Sequence, residues 1–421
     1  MNNPQPPTQV TLVATPDTQV APLSGLYETL NSFPLLAGLE EDLPQHPFDV
    51  QIAAPSRSDY FGASGLPLGA HRACDDIEHT DIAVVPLMMV DGPDWVRGRY
   101  PQVVDWLCRQ HDHGALLASA CTGVLLLAET GLLKGREATI HWAFAPTFHR
   151  NFPDMRLRTE EVRIAGGDED IVMTGGVMSW HDLALYLIAR YVGPVAAQAM
   201  ARMLMLEWHG AGQAPYIEFT PELGHGDGLV AERQRWLERH YMIANPVEEM
   251  TTGSGLSRRT LERRFRKATG RSPISYVQQL RIREARRLLE RTTMPIDEIG
   301  FVVGYENTAF FRRLFQRTTR LHPGSYRRKF GWVRCVERPP RRGNSCWSRG
   351  SKTIGQVGSG ASFRGTSRVA RARRFDTPRR SAQHWQPSRR HRSGTLSQCV
   401  ASSPERPNHP VHRTGATPHR R

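Results

Sequence analysis

Short apolar runs alternate with helical patterns through the first ~205 residues, and this alternation restricts the possible folds more than any other feature. Four runs are rich in β-branched residues and have the length of buried strands: VTLVAT (10–15), FDVQIAAP (48–55), DIAVVPL (81–87) and ALLASA (115–120). The segments between them have helical patterns: LSGLYETLNSF, WVRGRYPQVVDWLCRQH and VLLLAETGLL. Strands that alternate with helices form a parallel sheet with helices on both faces, so we predict an α/β domain.

The remaining chain divides by composition into four parts. Residues 160–176 predict a hairpin with a Gly-Asp turn, and two helical segments, SWHDLALYLIARYVG and VAAQAMARMLML, close the α/β domain at residue 206. Residues 207–228 are rich in Gly and Pro without a period and predict a linker. Residues 229–334 are helical in pattern, whereas residues 335–421 are rich in Arg, Ser and Pro. The last part lacks the apolar content of a folded core, so we expect disorder there.

Charge is distributed as unevenly as composition. Residues 1–230 carry 13 basic and 28 acidic side chains, a net charge of −15. Residues 231–334 carry 23 against 10, a net of +13, and residues 335–421 carry 19 against 3, a net of +16. A strongly basic helical region favours a polyanionic partner, most simply nucleic acid.

The basic region contains two units with the same order of helix signals. In the first unit, Asn245 and Pro246 are suited to cap and open a short helix. Gly255 then makes a turn, and Ser257 is suited to cap a second helix. Leu261 and Phe265 are four residues apart and should face the core. The outward face of this second helix then carries Arg258, Arg259, Glu262, Arg263 and Arg266. A short helix, a turn and a capped basic helix predict a helix-turn-helix, whose second helix enters the DNA major groove.

The second unit repeats this order about fifty residues later. Its opening, turn and capping residues are Pro295, Gly304 and Asn307. Its apolar faces should consist of Ile296, Ile299 and Val302 on the first helix and Phe311 and Phe315 on the second. The outward positions are Thr308, Ala309, Arg312 and Arg313. A longer helix between the units has apolar positions at Ile274, Val277, Leu280, Ala285 and Leu288, so one chain would present two recognition helices to successive major grooves.

These units resemble the AraC family of bacterial transcription regulators. The resemblance rests on GLSRRTLERRF, TGRSPISYVQQLRIREARRLL, IDEIGFVVGYENTAFFRRLF and HPGSYRR, about 95 residues in register. It implies base reading by Arg259, Glu262 and Arg263 in the first unit and by Ala309, Arg312 and Arg313 in the second. Three positions depart from the family pattern: Thr251, Gly300 and Arg320. Gly300 and Arg320 replace a packing alanine and a helix-ending glycine, which predicts a looser second unit.

A lone cysteine, Cys121, stands between a predicted strand and a predicted helix. The segment CTGVLLLAETGLLKGREATIHW (121–142) resembles the class I glutamine amidotransferase-like superfamily, which includes PfpI-type peptidases, and the resemblance covers residues 9–205. It implies a flavodoxin-like fold in which the cysteine sulfur is exposed and its pKa is lowered by the helix N-terminus. A thiol enzyme also needs a base and an acid. Thr122 follows the cysteine where a histidine is common, and Asp17 is the only carboxylate near the expected acid position at Ala21.

The incomplete catalytic set predicts a binding domain without catalysis. Ligands of open α/β sheets bind at the carboxyl ends of strands, so we predict a pocket near Cys121. The pocket candidates are Cys121, Thr122, His141, Trp142, Trp180 and His181. A buried packing role is the alternative for each of them, and a thiol hydrolase or amidase of PfpI type is the alternative for the whole domain.

The sequence therefore predicts a cytoplasmic transcription regulator. Its expected partners are double-stranded operator DNA, a small-molecule effector, RNA polymerase and a second copy of the chain in a homodimer. The effectors of related regulators include amino acids and nitrogen-containing metabolites. The six cysteines show no metal-ligand spacing, and His111 and His113 have no partner in the pattern, so we predict neither a metal nor a cofactor. The longest apolar stretch, 116–133, contains Glu129 and three glycines, which argues against a membrane span.

Overall fold

A computed structural model describes residues 6–36, 43–56, 60–90, 95–166 and 169–331. The predicted basic tail lies outside the described residues, as does the Gly167–Asp168 turn of the predicted hairpin. The strands are β1 Thr8–Val13, β2 Phe48–Ala54, β3 Tyr60–Phe61, β4 Pro67–Leu68, β5 Arg72–Ala73, β6 Ile82–Val85, β7 Leu116–Ala120, β8 Glu137–Ala138, β9 Arg156–Leu157, β10 Arg163–Ala165 and β11 Ile171–Thr174.

Seven of these strands form one sheet in the order β10-β11-β7-β6-β1-β2-β5. The neighbouring pairs from β11 to β5 are parallel, and β10 pairs antiparallel with β11 at one edge. The four predicted strands form the centre of this sheet, and the predicted hairpin forms its edge. The α/β prediction is therefore confirmed, with one antiparallel strand added.

Successive side chains of a strand point to opposite faces of the sheet, and in these strands both sets are apolar. Helices therefore cover both faces of the sheet. Leu12 packs in one cluster with Leu26 and Leu187, whereas the adjacent Val13 packs in the other with Trp106 and Val124. The helices of this domain are α1 Val20–Asn31, α2 Pro101–Asp112, α3 Gly123–Glu129, α4 Ala145–Asn151, α5 Trp180–Tyr191 and α6 Pro194–Met203.

Two local predictions in this domain were wrong. Helix α2 begins at Pro101 and not at Trp95, because a proline suits the first helical turn and disfavours helix at the residue before it. The segment EATIHW, whose pattern predicts a further strand leading to His141 and Trp142, does not join the main sheet. Its first residues, Glu137–Ala138, form β8, which pairs with β9 in a separate two-stranded sheet.

The C-terminal part of the described chain is all helical. Its helices are α7 Gly228–His240, α8 Pro246–Thr252, α9 Arg258–Thr269, α10 Pro273–Arg291, α11 Ile296–Val302, α12 Thr308–Thr319 and α13 Pro323–Phe330. Each helix-turn-helix has its own apolar cluster. Leu261 and Phe265 anchor α9 in the first cluster, and Phe311 and Phe315 anchor α12 in the second. Helix α10 contributes to both, so it connects the two units.

Two residues predicted to be buried in this region are exposed. Val302 is 40% exposed, and the adjacent Val303 is buried in its place. A helical turn contains 3.6 residues, so either the third or the fourth residue after Ile299 can lie on its buried face. Here it is the fourth residue, Val303. Ile274 is 50% exposed, since Pro273 and Tyr276 fill the core side of the first turn of α10.

None of the helices in the described residues combines the length and the apolar character needed to cross a bilayer.

Candidate functional site

The first recognition helix, α9, presents a basic face to solvent. Ser257 caps it by accepting a hydrogen bond from the Thr260 amide. Leu261 and Phe265 are completely buried, and burying such side chains stabilises the helix position by roughly 1.5–3 kcal/mol each. The four predicted DNA-facing residues of this unit are exposed or half-buried: Arg258, Arg259, Glu262 and Arg263. Glu262 accepts from Arg258 at 3.0 Å, which leaves Arg259 and Arg263 as the cations directed outward from the middle of the helix.

The second recognition helix, α12, has the same construction. Asn307 caps it by accepting from the Phe310 amide, and Phe311 and Phe315 are completely buried. The predicted DNA-facing residues lie on its other side: Thr308, Ala309, Arg312 and Arg313. Arg312 donates to Asp297 of α11 at 2.7 Å. The Arg312 guanidinium is therefore already paired with a carboxylate of the preceding helix.

The departures at Gly300 and Arg320 have structural explanations. A Cβ at Gly300 would lie 3.2 Å from a ring carbon of Phe311, so the phenyl ring occupies the space of an alanine methyl group. Arg320 still adopts the left-handed conformation that ends α12, with a φ of 57°. The helix end is thus retained without glycine, although an L-residue in this conformation is strained.

Cys121 occupies the turn between β7 and α3 with a φ of 55°. This positive φ agrees with the strand-turn-helix reading. The expected exposure of its sulfur was wrong, because Cys121 is completely buried. Burial also raises the pKa of the thiol to about 12, although hydrogen bonds with Thr122 and the backbone of Gly176 and His141 act in the opposite direction. The expected low pKa was therefore wrong as well, since desolvation outweighs the helix N-terminus.

The side chains of Thr122 and Asp17, the residues at the predicted histidine and acid positions, have further partners in neighbouring loops. The Thr122 hydroxyl accepts from the Met88 amide at 3.1 Å and donates to the Met88 carbonyl. Asp17 accepts a hydrogen bond from Tyr100 at 2.8 Å and pairs with Arg99. These contacts join loops at the carboxyl ends of the strands, which is a structural role.

A cavity of about 220 Å³ lies at the predicted edge of the sheet. His141 and Trp142 line it, as do residues 175–179, which lead from β11 into α5. The remaining wall consists of Val162 and the linker residues His209, Gly212, Gln213 and Tyr216. Burial lowers the pKa of His141, so its imidazole is neutral at physiological pH. The cavity wall is thus formed by aromatic rings and backbone around a few polar groups.

The other pocket candidates lie outside the lining of this cavity. Cys121 and Thr122 are buried behind it. The Trp180 ring packs against Gly25 of α1, where a Cβ would approach a ring carbon to 2.5 Å. His181 faces Asp182 and His209. Their roles in ligand binding remain predictions.

Gln213 attaches the linker to the α/β domain. Its side-chain amide donates to the carbonyls of Ile140 and Glu161 at 2.9 and 3.1 Å, and its oxygen accepts from the Trp142 amide at 3.3 Å. Gln213 is only 4% exposed. A buried amide with these three contacts holds the linker against the cavity.

The same linker contacts the second helix-turn-helix unit. The buried guanidinium of Arg286 on α10 donates to the carbonyls of Ala214, at 2.9 Å, and Ile217. Tyr216 packs edge-on against Phe330 of α13, with ring centroids 5.3 Å apart. Tyr216 therefore lines the cavity and also contacts the DNA-binding helices.

Sequence reasoning missed the contribution of the linker to the cavity. The aperiodic segment EWHGAGQAPY predicts only a linker between the domains, because Gly and Pro are typical of linkers. Its His, Gln and Tyr side chains were the available signal. No pattern in the sequence indicated which part of the α/β domain they would contact.

Two family matches cover most of the two domains. Residues 26–176 match the DJ-1/PfpI family, and residues 250–329 match a family described as a helix-turn-helix domain. Both matches agree with the resemblances drawn from the motifs around Cys121 and Ser257.

Several characterised proteins are similar along the chain. The HTH-type transcriptional regulator CdhR of Pseudomonas aeruginosa is 27% identical over 61% of this chain and 74% of its own length. The HTH-type transcriptional regulator GlxA of Rhizobium meliloti is 27% identical over 68% of this chain and 86% of its own length. An isonitrile hydratase of Pseudomonas putida is 28% identical over 51% of this chain and 83% of its own length.

Proposed function

Because residues 26–176 belong to the DJ-1/PfpI family and residues 250–329 form an AraC-type helix-turn-helix domain, we propose that this chain is a sequence-specific DNA-binding transcription regulator whose α/β domain senses a small metabolite. The names of the regulators CdhR and GlxA support this function. The observation that carries the proposal is the pair of anchored recognition helices with outward arginines, Arg259 and Arg263 on one and Arg312 and Arg313 on the other.

Footprinting with the full chain tests DNA binding. The neighbouring promoter is digested in the presence of wild type, of an Arg259→Ala/Arg263→Ala double variant, and of an Arg235→Ala/Arg239→Ala control. The control removes the same charge from exposed positions on α7. We expect salt-sensitive protection of a defined sequence that only the α9 variant weakens. Equal loss in both variants, or protection without sequence preference, would refute sequence-specific reading.

The linker supports the proposal that ligand binding changes DNA binding. His209, Gln213 and Tyr216 face the cavity, while the carbonyls of Ala214 and Ile217 are held by Arg286 of α10. A ligand that moves this segment would therefore alter a contact of the second helix-turn-helix unit. Ligand binding can change DNA binding in this way only if the ligand has different affinities for the protein with the linker in its original and in its moved position.

The cavity supports a small ligand. Its volume of about 220 Å³ and its few polar groups suit a small ligand such as an amino acid or a similar nitrogen-containing metabolite. A thermal-shift screen of such metabolites against the full chain tests this assignment. We expect a hit whose stabilisation is lost in Trp142→Leu and retained in Trp208→Leu, because Trp208 is an exposed tryptophan outside the cavity lining. A hit that both variants retain would place the ligand elsewhere.

The remaining partners follow from this function. A regulator of this type contacts RNA polymerase at the promoter and works in the cytoplasm, where the DNA is. A homodimer would present two pairs of recognition helices to a repeated operator site. Light scattering of the free and DNA-bound chain distinguishes a dimer from a monomer.

Two observations favour a second candidate function, a thiol enzyme. Cys121 has the strained φ of a strand-to-helix turn, and the isonitrile hydratase relative is an enzyme by name. Its complete burial and a pKa of about 12 favour the sensor. A hydrolase, amidase and isonitrile hydration screen with wild type and Cys121→Ala decides between them, because only an enzyme would show turnover that the variant lacks.

A further inference from the structure

Three metal-ligand side chains meet where the linker leaves the α/β domain. His181 and Asp182 lie in the first turn of α5, and His209 lies in the linker. The Asp182 Oδ2 atom is 2.7 Å from His209 Nδ1 and 3.7 Å from His181 Nδ1. One ligand atom from each residue lies within 4.8 Å of the other two, a spacing not shared by any other group of three His, Cys, Asp or Glu residues in the described parts of the chain.

His181 is the member of this cluster that hydrogen bonding leaves unexplained. The residue is only 8% exposed, and its Nδ1 atom is buried without a hydrogen-bond partner among the described groups. A buried polar atom without a partner costs roughly 1–3 kcal/mol, so native structures rarely keep one without a reason. A ligand that accepts a nitrogen lone pair would remove this cost.

The two other side chains are already oriented toward the same point. Asp182 is 2% exposed, and its Oδ1 atom accepts from the backbone amide of His209 at 2.9 Å. This bond leaves Oδ2 to face both imidazoles. The rings of His181 and His209 are nearly parallel, with centroids 5.3 Å apart.

We propose that His181, Asp182 and His209 bind a divalent transition metal ion of the zinc class. Two imidazole nitrogens and one carboxylate oxygen are a donor set typical of zinc sites that keep an open position. Zinc bonds of about 2.0–2.1 Å place neighbouring ligand atoms about 3.3 Å apart in a tetrahedral site. That value lies between the 2.7 and 3.7 Å separations present here. Binding breaks the His209–Asp182 hydrogen bond, and a neutral His209 then carries its proton on Nε2.

The position of the site connects the metal with the cavity. His209 lines the cavity and precedes the linker residues that Arg286 holds. An ion that joins His209 to α5 would therefore fix the start of the linker. This inference does not depend on the DNA-binding proposal, because it concerns only contacts within residues 181–209.

The experiment measures zinc and cobalt binding by the full chain. Zn²⁺ is titrated in competition with a chromophoric chelator, and Co²⁺ is followed by its visible absorption. Wild type is compared with His181→Gln, His209→Gln and a control, His113→Gln, which changes an exposed histidine at the end of α2 that is not part of the cluster. Metal-free thermal midpoints show that each variant is folded.

We expect one site that both cluster variants weaken at least about tenfold, the smallest effect expected from losing a partner of a metal site. The control should bind as wild type does, and the Co²⁺ spectrum should lack the thiolate charge-transfer band of cysteine ligation. Equal Zn²⁺ affinity in wild type and both cluster variants would overturn the proposal. So would a wild type that fails to compete with the chelator. His209→Gln keeps the test decisive if a change at the more buried His181 prevents folding, because the His209 side chain is 23% exposed.

Discussion

Arg320, at the end of the second recognition helix, is joined to Glu161 of the α/β domain by two hydrogen bonds of 2.6 and 3.0 Å. The arginine holds this position in a left-handed conformation, with a φ of 57°. The residue that departs from the expected glycine therefore makes a contact between the DNA-binding helices and the α/β domain that glycine could not make.

Replacing Glu161 with Gln should weaken the contact in a pH-dependent way. The hydrogen bonds from Arg320 hold the pKa of the Glu161 carboxyl below its ordinary value. The stabilisation is therefore fully present above the ordinary glutamate pKa and is lost as pH falls through the lowered one. Because both side chains are about one-third exposed, we expect only about 0.5 kcal/mol. Urea unfolding at neutral pH and near pH 3 measures it, and a difference that grows on acidification would contradict this account.

Two substitutions of Arg320 separate the ion pair from backbone strain. Arg320→Gly and Arg320→Ala both remove the ion pair, but only glycine relieves the positive φ. We expect the glycine variant to be more stable than the alanine variant by about 1 kcal/mol, measured by chemical denaturation. Equal stability of the two variants would show that the left-handed conformation is not retained.

The thiol of Cys121 should react slowly with alkylating reagents. Its pKa of about 12 and its complete burial leave almost no accessible thiolate at neutral pH. The half-buried Cys108 provides an internal comparison, although burial and nearby aspartates raise its pKa too. Peptide mapping after timed alkylation of the native chain should find Cys108 modified first. Faster labelling of Cys121 than of Cys108 would instead support the hypothesis that Cys121 is a reactive thiol.

Gly123→Ala should strongly destabilise the α/β domain. A Cβ at Gly123 would lie 2.4 Å from the carbonyl oxygens of Val85 and Pro86, which are backbone atoms and cannot turn away. Overpacking of this kind typically costs about 1–3 kcal/mol or more. Gly69→Ala is the matched control, since nothing lies within 4 Å of its Cβ. Thermal unfolding should separate the two variants, and similar midpoints would disprove the close approach of α3 to β6.

The two recognition helices should read different half-sites. Arg259→Ala and Arg312→Ala are expected to relax base preference at separate positions of the operator, at about 1–3 kcal/mol for each lost base contact. Arg312 must first leave Asp297, so Asp297→Asn should strengthen binding while Arg312 is present. Binding to a library of operator variants measures both effects. Loss of preference at the same base pairs in both arginine variants would contradict two separate contacts.

The helix-turn-helix units could be predicted in detail because their signals are local. Capping residues such as Ser257 and Asn307 act on amides three residues away, and the spacing of Leu261 and Phe265 defines a helix face without reference to the rest of the chain. The errors at Ile274 and Val302 arose where the face had to be chosen from the spacing alone. Neighbouring residues of the same helices take the buried positions, Val303 in one case and Pro273 and Tyr276 in the other.

The chemistry around Cys121 was less predictable. The strand-turn-helix order follows from the residues adjacent to the cysteine, and its φ of 55° agrees with that order. The exposure of its sulfur depends on how the segments around His141 and Gly176 close over it, and these lie 20 and 55 residues further along the chain. Burial then reversed the expected direction of the pKa shift.

Residue patterns alone predict the parallel α/β order, the paired recognition helices and the outward arginines, because apolar periodicity and capping act within a few residues. The folded chain was needed to reveal that the linker lines the cavity, that His209 meets His181 and Asp182, and that Arg320 reaches Glu161. Each of these contacts joins residues that are 27 to 159 positions apart. Contacts at that range are fixed by how whole elements pack, and no local pattern encodes their partners.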